Sequence, residues 1–213
     1  MLEVCELFHS IQGESTFAGK PCSFIRLSGC NLACSWCDTP YARNRAGTLM
    51  SIGEIVDFVA QHRSGIIEVT GGEPLLQEET PALCEALMPL HRTVLVETNG
   101  TCDISVLPRP VVRIMDIKPP SSGYADRFLS ANLEHLRPLD QVKFVIASRQ
   151  DYEWACSFAD RSQLSKACVI IFSAAVALLP AATLASWLLD DDLDVRLGLQ
   201  LHKYIWGEDA RGV

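Results

Sequence analysis

Three cysteines within eight residues, Cys30, Cys34 and Cys37, carry the clearest chemistry in this sequence. Thiolates at such spacing suit an iron–sulfur cluster or zinc. The segment Cys30-Asn31-Leu32-Ala33-Cys34-Ser35-Trp36-Cys37 offers three sulfur ligands and no fourth. On a [4Fe–4S] cluster that count leaves one iron without a protein ligand, open to the amino and carboxylate groups of a small molecule. On zinc it calls for a fourth ligand from elsewhere, and His9 and His62 are candidates. The other six cysteines (Cys5, Cys22, Cys84, Cys102, Cys156 and Cys168) are scattered and read as small buried hydrophobes, so no second cluster is expected.

A loop with this task needs a scaffold. Apolar, β-branched runs predict strands over Cys22–Ser28, Ile66–Thr70, Thr93–Thr98, Val111–Ile117, Gln141–Ile146, Cys168–Ser173 and Val195–Leu201. Several are apolar without alternation, as in parallel strands covered on both faces. Ser51 and Glu54 form a capping box ahead of an apolar stripe of Ile52, Ile55, Val56 and Val59. Thr80 is placed to cap a helix with Pro81 at its first position, and Asp151–Asp160 and Ala181–Leu189 also read as helices. The alternation predicts one α/β domain spanning 1–213, with a mostly parallel sheet and its reactive loops at the carboxyl ends of the strands.

Further polar residues fall at those strand ends. The cysteine segment follows the first expected strand. The second runs into Thr70-Gly71-Gly72-Glu73-Pro74, where glycines permit close backbone approach to a ligand and a carboxylate can accept from an ammonium. Glu97-Thr98-Asn99-Gly100 and Asp116-Ile117-Lys118 close two more strands. Arg26 shares a strand face with Cys22 and Phe24 by period-two alternation, so its guanidinium points inward near the cysteines.

CxxxCxxC with Trp36 before the last cysteine, followed by Gly71-Gly72-Glu73 on the next strand, resembles the radical S-adenosylmethionine (SAM) superfamily. Ile11-Gln12-Gly13-Glu14, the run Phe24–Cys30, Asp38-Thr39 and the tail Gln200–Tyr204 narrow the resemblance to the 7-carboxy-7-deazaguanine synthase family. That resemblance implies a shortened TIM-like barrel of about six strands. It implies a [4Fe–4S] cluster on Cys30, Cys34 and Cys37, SAM cleaved to a 5′-deoxyadenosyl radical, and ring contraction of 6-carboxy-5,6,7,8-tetrahydropterin with loss of ammonia, on the route to queuosine in tRNA. It further implies SAM contacts at Gly72, Glu73, Glu97, Asn99, Asp116, Ile117 and Lys118. Substrate contacts are implied at Ile11, Gln12, Gly13, Glu14, Arg26, Thr70 and His202, and a Mg2+ ligand at Thr39. A homodimer and an electron donor such as flavodoxin belong to the same expectation. The chain departs from the family at Ala174 and Glu208, where members often carry proline. Two other readings stand beside this one: a radical SAM activase that makes a glycyl radical on a partner protein, and a non-catalytic zinc module.

The formal net charge of −8, with no dense Lys/Arg stretch, argues against a nucleic-acid partner. The amino terminus is acidic and lacks the basic-then-apolar pattern of a signal peptide. Apolar residues from Val169 to Leu189 are interrupted by Ser173, Pro180, Thr183 and Ser186, so this stretch reads as strand, loop and helix rather than as a membrane span. A cytoplasmic location, where reducing conditions protect a cluster, is expected.

Overall fold

The computed structural model describes residues 1–44, 47–207 and 210–213, so Glu208 lies outside the described residues. The strands are β1 (Leu2–Ile11), β2 (Pro21–Leu27), β3 (Thr48–Met50), β4 (Ile66–Gly71), β5 (Thr93–Thr98), β6 (Val112–Asp116), β7 (Gln141–Ile146), β8 (Val169–Ala174) and β9 (Arg196–Gly198). The helices are α1 (Pro40–Arg43), α2 (Ile52–Ala60), α3 (Thr80–Leu87), α4 (Arg149–Arg161), α5 (Leu164–Ala167), α6 (Ala181–Asp190) and α7 (Leu201–Trp206). The strands form one nine-stranded open sheet in the order β3-β1-β2-β4-β5-β6-β7-β8-β9. From β2 through β9 every pairing is parallel, while β1 pairs antiparallel with β2 and β3. The mostly parallel α/β sheet expected from the sequence is therefore present, and the seventh predicted strand is its edge, β9.

Each face of the sheet has its own packing. On the helix side, Ile25 and Leu27 of β2 and Ile67 and Val69 of β4 pack with Ile55, Val59, Leu83 and Leu87 of α2 and α3. A second helix-side cluster joins Phe144 and Phe172 to Tyr152, Phe158 and Leu184. On the concave side, Phe8, Cys22, Phe24, Ile66, Leu95, Val112 and Ile114 form a smaller apolar floor. Parallel strands buried on both faces explain the unbroken apolar runs.

Local signals account for several boundaries. The Ser51–Glu54 capping box starts α2, although only Ile55 and Val59 of its apolar stripe are buried. Thr80 does not cap α3; Glu79 holds that position, and the Thr80 hydroxyl instead donates to Pro74 O at 2.6 Å. Two strands were not legible. β3 has only three residues. β1 carries a bulge between Val4 and Glu6, which shifts its alternation by one. Leu2, Val4 and Leu7 thus face the helices while Phe8 faces the concave side. The expected strand Val195–Leu201 is shorter, because Leu201 N donates to Gly13 O at 2.9 Å and opens α7 instead. The apolar stretch from Val169 divides into β8 and α6, and no helix among the described residues is long and apolar enough to cross a membrane.

Candidate active site

A cavity of about 670 Å³ opens at the carboxyl ends of the parallel strands. Cys30, Cys34 and Cys37 line one side of it. Their loop leaves β2 through Gly29 at φ 95°, a conformation that favours glycine. It is pinned to α1 by Gly29 N to Ala42 O at 2.8 Å and Cys30 N to Arg43 O at 3.1 Å. Burial pushes the thiols of Cys30 and Cys34 up, and the Lys118 ammonium partly offsets this at both.

Among the described residues the three thiols do not converge within 4.8 Å of one another, whereas the ligand atoms of Glu14, Asp38 and His202 do. His9 and His62 stack on each other with centroids 4.4 Å apart, and neither lines this cavity, so neither is a fourth ligand here.

The next strand end meets the cysteine loop. Gly72 N donates to Leu27 O at 3.2 Å and Glu73 N to Gly29 O at 2.8 Å. A Cβ at Gly72 would overlap Gly29 O and lie 2.7 Å from Cys30 Cβ. Gly72→Ala is expected to displace the cysteine loop at a cost of about 1–3 kcal/mol. Thermal unfolding and iron content after anaerobic reconstitution should both fall relative to the parent.

The Glu73 carboxylate sits apart from the cavity. It is fully buried and outside the cavity lining. Its oxygens accept from Leu75 N at 3.0 Å, Thr98 Oγ1 at 2.8 Å and Asn99 N at 2.6 Å. The side chain braces two loops through these bonds. The Ile117 side chain is likewise buried among the helix-side apolar residues, outside the cavity lining. Gly72, Glu97, Asn99, Asp116 and Lys118 do line the cavity. Asn99 Nδ2 lies 3.9 Å from Cys30 Sγ, and Lys118 Nζ donates to Asp116 Oδ2 at 2.8 Å. Asp116 Oδ1 is buried without a protein partner among the described residues. That orphaned acceptor fits a ligand donor, such as an ammonium or hydroxyl of SAM.

Ile11, Gln12, Gly13, Glu14, Arg26, Thr39, Thr70 and His202 also line the cavity. Arg26 Nε donates to Glu6 Oε1 at 2.7 Å, and its guanidinium lies 5.6 Å from the Phe8 ring centroid. Gln12 Nε2 donates to Glu68, and Gln12 Oε1 accepts from Glu14 N at 2.8 Å. Thr39 precedes α1 but makes no side-chain cap, and its hydroxyl has no hydrogen-bond partner among the described residues. At the mouth, His202 packs against Gly13, and Gln200 donates to Glu14 Oε1 at 3.0 Å. Lys203 pairs with Asp38 at 3.3 Å. Burial lowers the His202 pKa, which favours a neutral imidazole.

Beneath them lies a charge network that sequence reading missed. Lys143 on β7 is buried and donates to Glu14 Oε2 at 2.8 Å and to Glu97, with Asp116 Oδ2 at 3.7 Å. Burial opposes its charge, yet Glu14, Glu97 and Asp116 together hold its pKa well above the usual lysine range. Glu68 shows the reverse: burial first, then the Glu97 and Glu14 charges, push its carboxyl well above the usual carboxylate range. The available signal was a lone charge inside an apolar parallel strand, in Gln141–Ile146 and Ile66–Gly71. Glu6 and Tyr41 gave no such signal, because the bulge in β1 hid the strand that carries Glu6.

Fold and site together define a radical SAM protein, and the radical SAM superfamily profile matches residues 24–161. Among curated relatives, 7-carboxy-7-deazaguanine synthase from Koribacter versatilis is 42% identical over 227 residues, covering 100% of both chains. Its counterpart from Chlorobaculum tepidum is 46% identical over 215 residues, covering 100% of this chain and 97% of its own. This chain belongs to the 7-carboxy-7-deazaguanine synthase family. The crystal structure of QueE from Escherichia coli shares the fold, with a TM-score of 0.72 at 22% identity over 93% of each chain. Family membership displaces the activase and zinc-module readings.

Proposed function

We propose that this chain converts 6-carboxy-5,6,7,8-tetrahydropterin into 7-carboxy-7-deazaguanine and ammonia, supplying the deazapurine for queuosine. The observation that carries this reading is one cavity whose lining brings three cluster-type cysteines together with Arg26, Gln12 and Glu14. Cys30, Cys34 and Cys37 would hold the [4Fe–4S] cluster, and when bound the cluster supplies the electron that splits SAM and begins radical chemistry.

The chain's own residues bind and orient. Gly72 lets the SAM amino acid moiety approach the backbone, and the Asp116 Oδ1 acceptor and Lys118 sit on the same side. Glu97 and Asn99 border that end of the cavity, and the backbone at Glu73 and Ile117 can contribute where their side chains do not. Arg26 faces a carboxylate with two terminal nitrogens, a paired geometry suited to the 6-carboxylate. Gln12, Glu14, Thr70 and the backbone at Ile11 and Gly13 present the mixed donors and acceptors that a pterin edge requires. Phe8, Phe24 and Leu32 make the adjoining wall apolar, and His202 on α7 narrows the mouth. Thr39 is the proposed Mg2+ ligand. Its uncommitted hydroxyl suits a hard cation, and Asp38 and Glu14 add negative charge close by.

We place the enzyme in the cytoplasm as a single-domain homodimer that receives electrons from a small donor such as flavodoxin. The test is anaerobic incubation of the reconstituted protein with the carboxylated tetrahydropterin, SAM, Mg2+ and a reductant. Mass analysis should find 7-carboxy-7-deazaguanine; recovery of unchanged pterin alongside SAM cleavage would refute the substrate assignment. In the same assay Arg26→Ala should retain its iron yet bind the pterin roughly 30-fold more weakly, the loss of about 2 kcal/mol from an unpaired carboxylate. Unaltered pterin affinity would remove Arg26 from the site.

A further inference from the structure

Arg26 has an arginine's usual difficulty. Its side chain is long and its rotamers many, and a carboxylate clamp works only if the planar fork is already aimed. The surroundings of Arg26 supply that aim.

Glu6 sits opposite Arg26 across the antiparallel β1–β2 pair, and the bulge between Val4 and Glu6 puts it on the cavity face. Its Oε1 accepts from Arg26 Nε at 2.7 Å. The same oxygen accepts from Tyr41 Oη at 2.9 Å. The Phe8 ring, stacked on Phe24 at 4.7 Å, supports one side of the guanidinium. Using the inner Nε in this way leaves both terminal nitrogens of Arg26 without a hydrogen bond among the described residues. Those two nitrogens are the pair that a carboxylate takes in the bidentate mode. Tyr41 lies on α1, two residues beyond Thr39 and four beyond Cys37. Arg211 from the tail lies 4.2 Å over the Tyr41 ring.

We infer that Glu6 and Tyr41 are positioning residues: they hold the Arg26 guanidinium with its terminal edge left for the substrate carboxylate, and Tyr41 ties that clamp to the loop carrying Cys37 and Thr39. Neither needs to touch substrate. The carboxylate of the substrate and the cluster loop are thereby held in fixed relation through the chain Arg26–Glu6–Tyr41. This role rests on the pterin-turnover reading above.

The experiment compares the reconstituted parent, Glu6→Gln, Glu6→Ala and Tyr41→Phe. Affinities are measured for three ligands: the carboxylated tetrahydropterin, the same tetrahydropterin lacking its 6-carboxylate, and SAM. Glu6→Ala should lose about tenfold affinity for the carboxylated compound while binding the carboxylate-free compound and SAM as the parent does. Glu6→Gln keeps an oxygen acceptor for both donors and should restore affinity to within about threefold. Tyr41→Phe should show the same selective loss at about threefold to fivefold. If Glu6→Ala does not fold, the Tyr41→Phe comparison decides alone. Equal losses for the two pterins, or no loss for either, would overturn the positioning role. Failure of the parent itself to turn over the carboxylated pterin is a different outcome and would instead refute the substrate assignment.

Discussion

Cys34→Ala protein, purified without oxygen and reconstituted with iron and sulfide, is expected to hold no intact cluster and to cleave SAM only at background. Three thiolates are the minimum for this site. Two would leave a second iron open, and the neighbouring amides of Asn31 and Asn99 are no substitute for thiolate. The polypeptide should survive the change. Cys34 is only half-buried in a loop, so the metal-free fold should shift by no more than about 1 kcal/mol. Cys156→Ala is the control, because that cysteine packs beside the aromatic cluster of α4, away from the cavity. It should assemble iron as the parent does. Iron and sulfide analysis with a SAM-cleavage assay reads both variants, and sustained cleavage by Cys34→Ala would contradict the ligand assignment.

Lys143→Met should be the most destabilising single change in the cavity wall. It removes the cation shared by Glu14, Glu97 and Asp116; Asp116 keeps Lys118, but the partly buried Glu14 and Glu97 are left with no cationic partner among the described residues. Breaking such a network from one side costs about 3–5 kcal/mol, or roughly 10 °C in Tm for a chain of this length. The effect has a pH signature. Burial pushes the Glu14 carboxyl up, but Lys143 outweighs it and holds Glu14 at about 2. The parent therefore has the full Glu14 contribution above the unfolded value of about 4.3 and loses it as pH falls toward 2. Without Lys143, burial acts on Glu14 with much less opposition, its folded pKa rises, and protonation relieves the variant in acid. The difference in stability between parent and variant should accordingly be larger at pH 8 than at pH 5. Denaturant unfolding at the two pH values measures it, and an equal or smaller difference at pH 8 would show that Lys143 does not hold these carboxylates.

The legible and illegible parts of this protein separate on physical grounds. Parallel strands buried on both faces announce themselves as apolar runs, and β5 and β7 fall at the expected residues. The cysteines, Gly72, Asp116 and Lys118 stood out in the sequence because ligand chemistry restricts residue type at strand ends, and all of them line the cavity. β1 was missed because its bulge changes the phase of the pattern within one strand, and with it went Glu6. The bonding of the Glu73 carboxylate was not legible, because sequence does not separate an outward carboxylate from one bonded within the chain; three hydrogen bonds in the folded chain make that distinction. Lys143 and Glu68 were in view as charges within apolar strands, but their partners come from other strands and a loop, and only the fold brings these together.

Three cysteines on a [4Fe–4S] cluster leave one iron that no side chain ligates. Electron paramagnetic resonance of the reduced, oxygen-free protein, with and without SAM carrying a magnetic isotope in its amino group, addresses that iron directly. The expected result is about four irons per chain, a spectrum that changes on SAM addition, and a coupling from the labelled nitrogen. A spectrum indifferent to SAM, or a colourless protein containing zinc in place of iron, would contradict it.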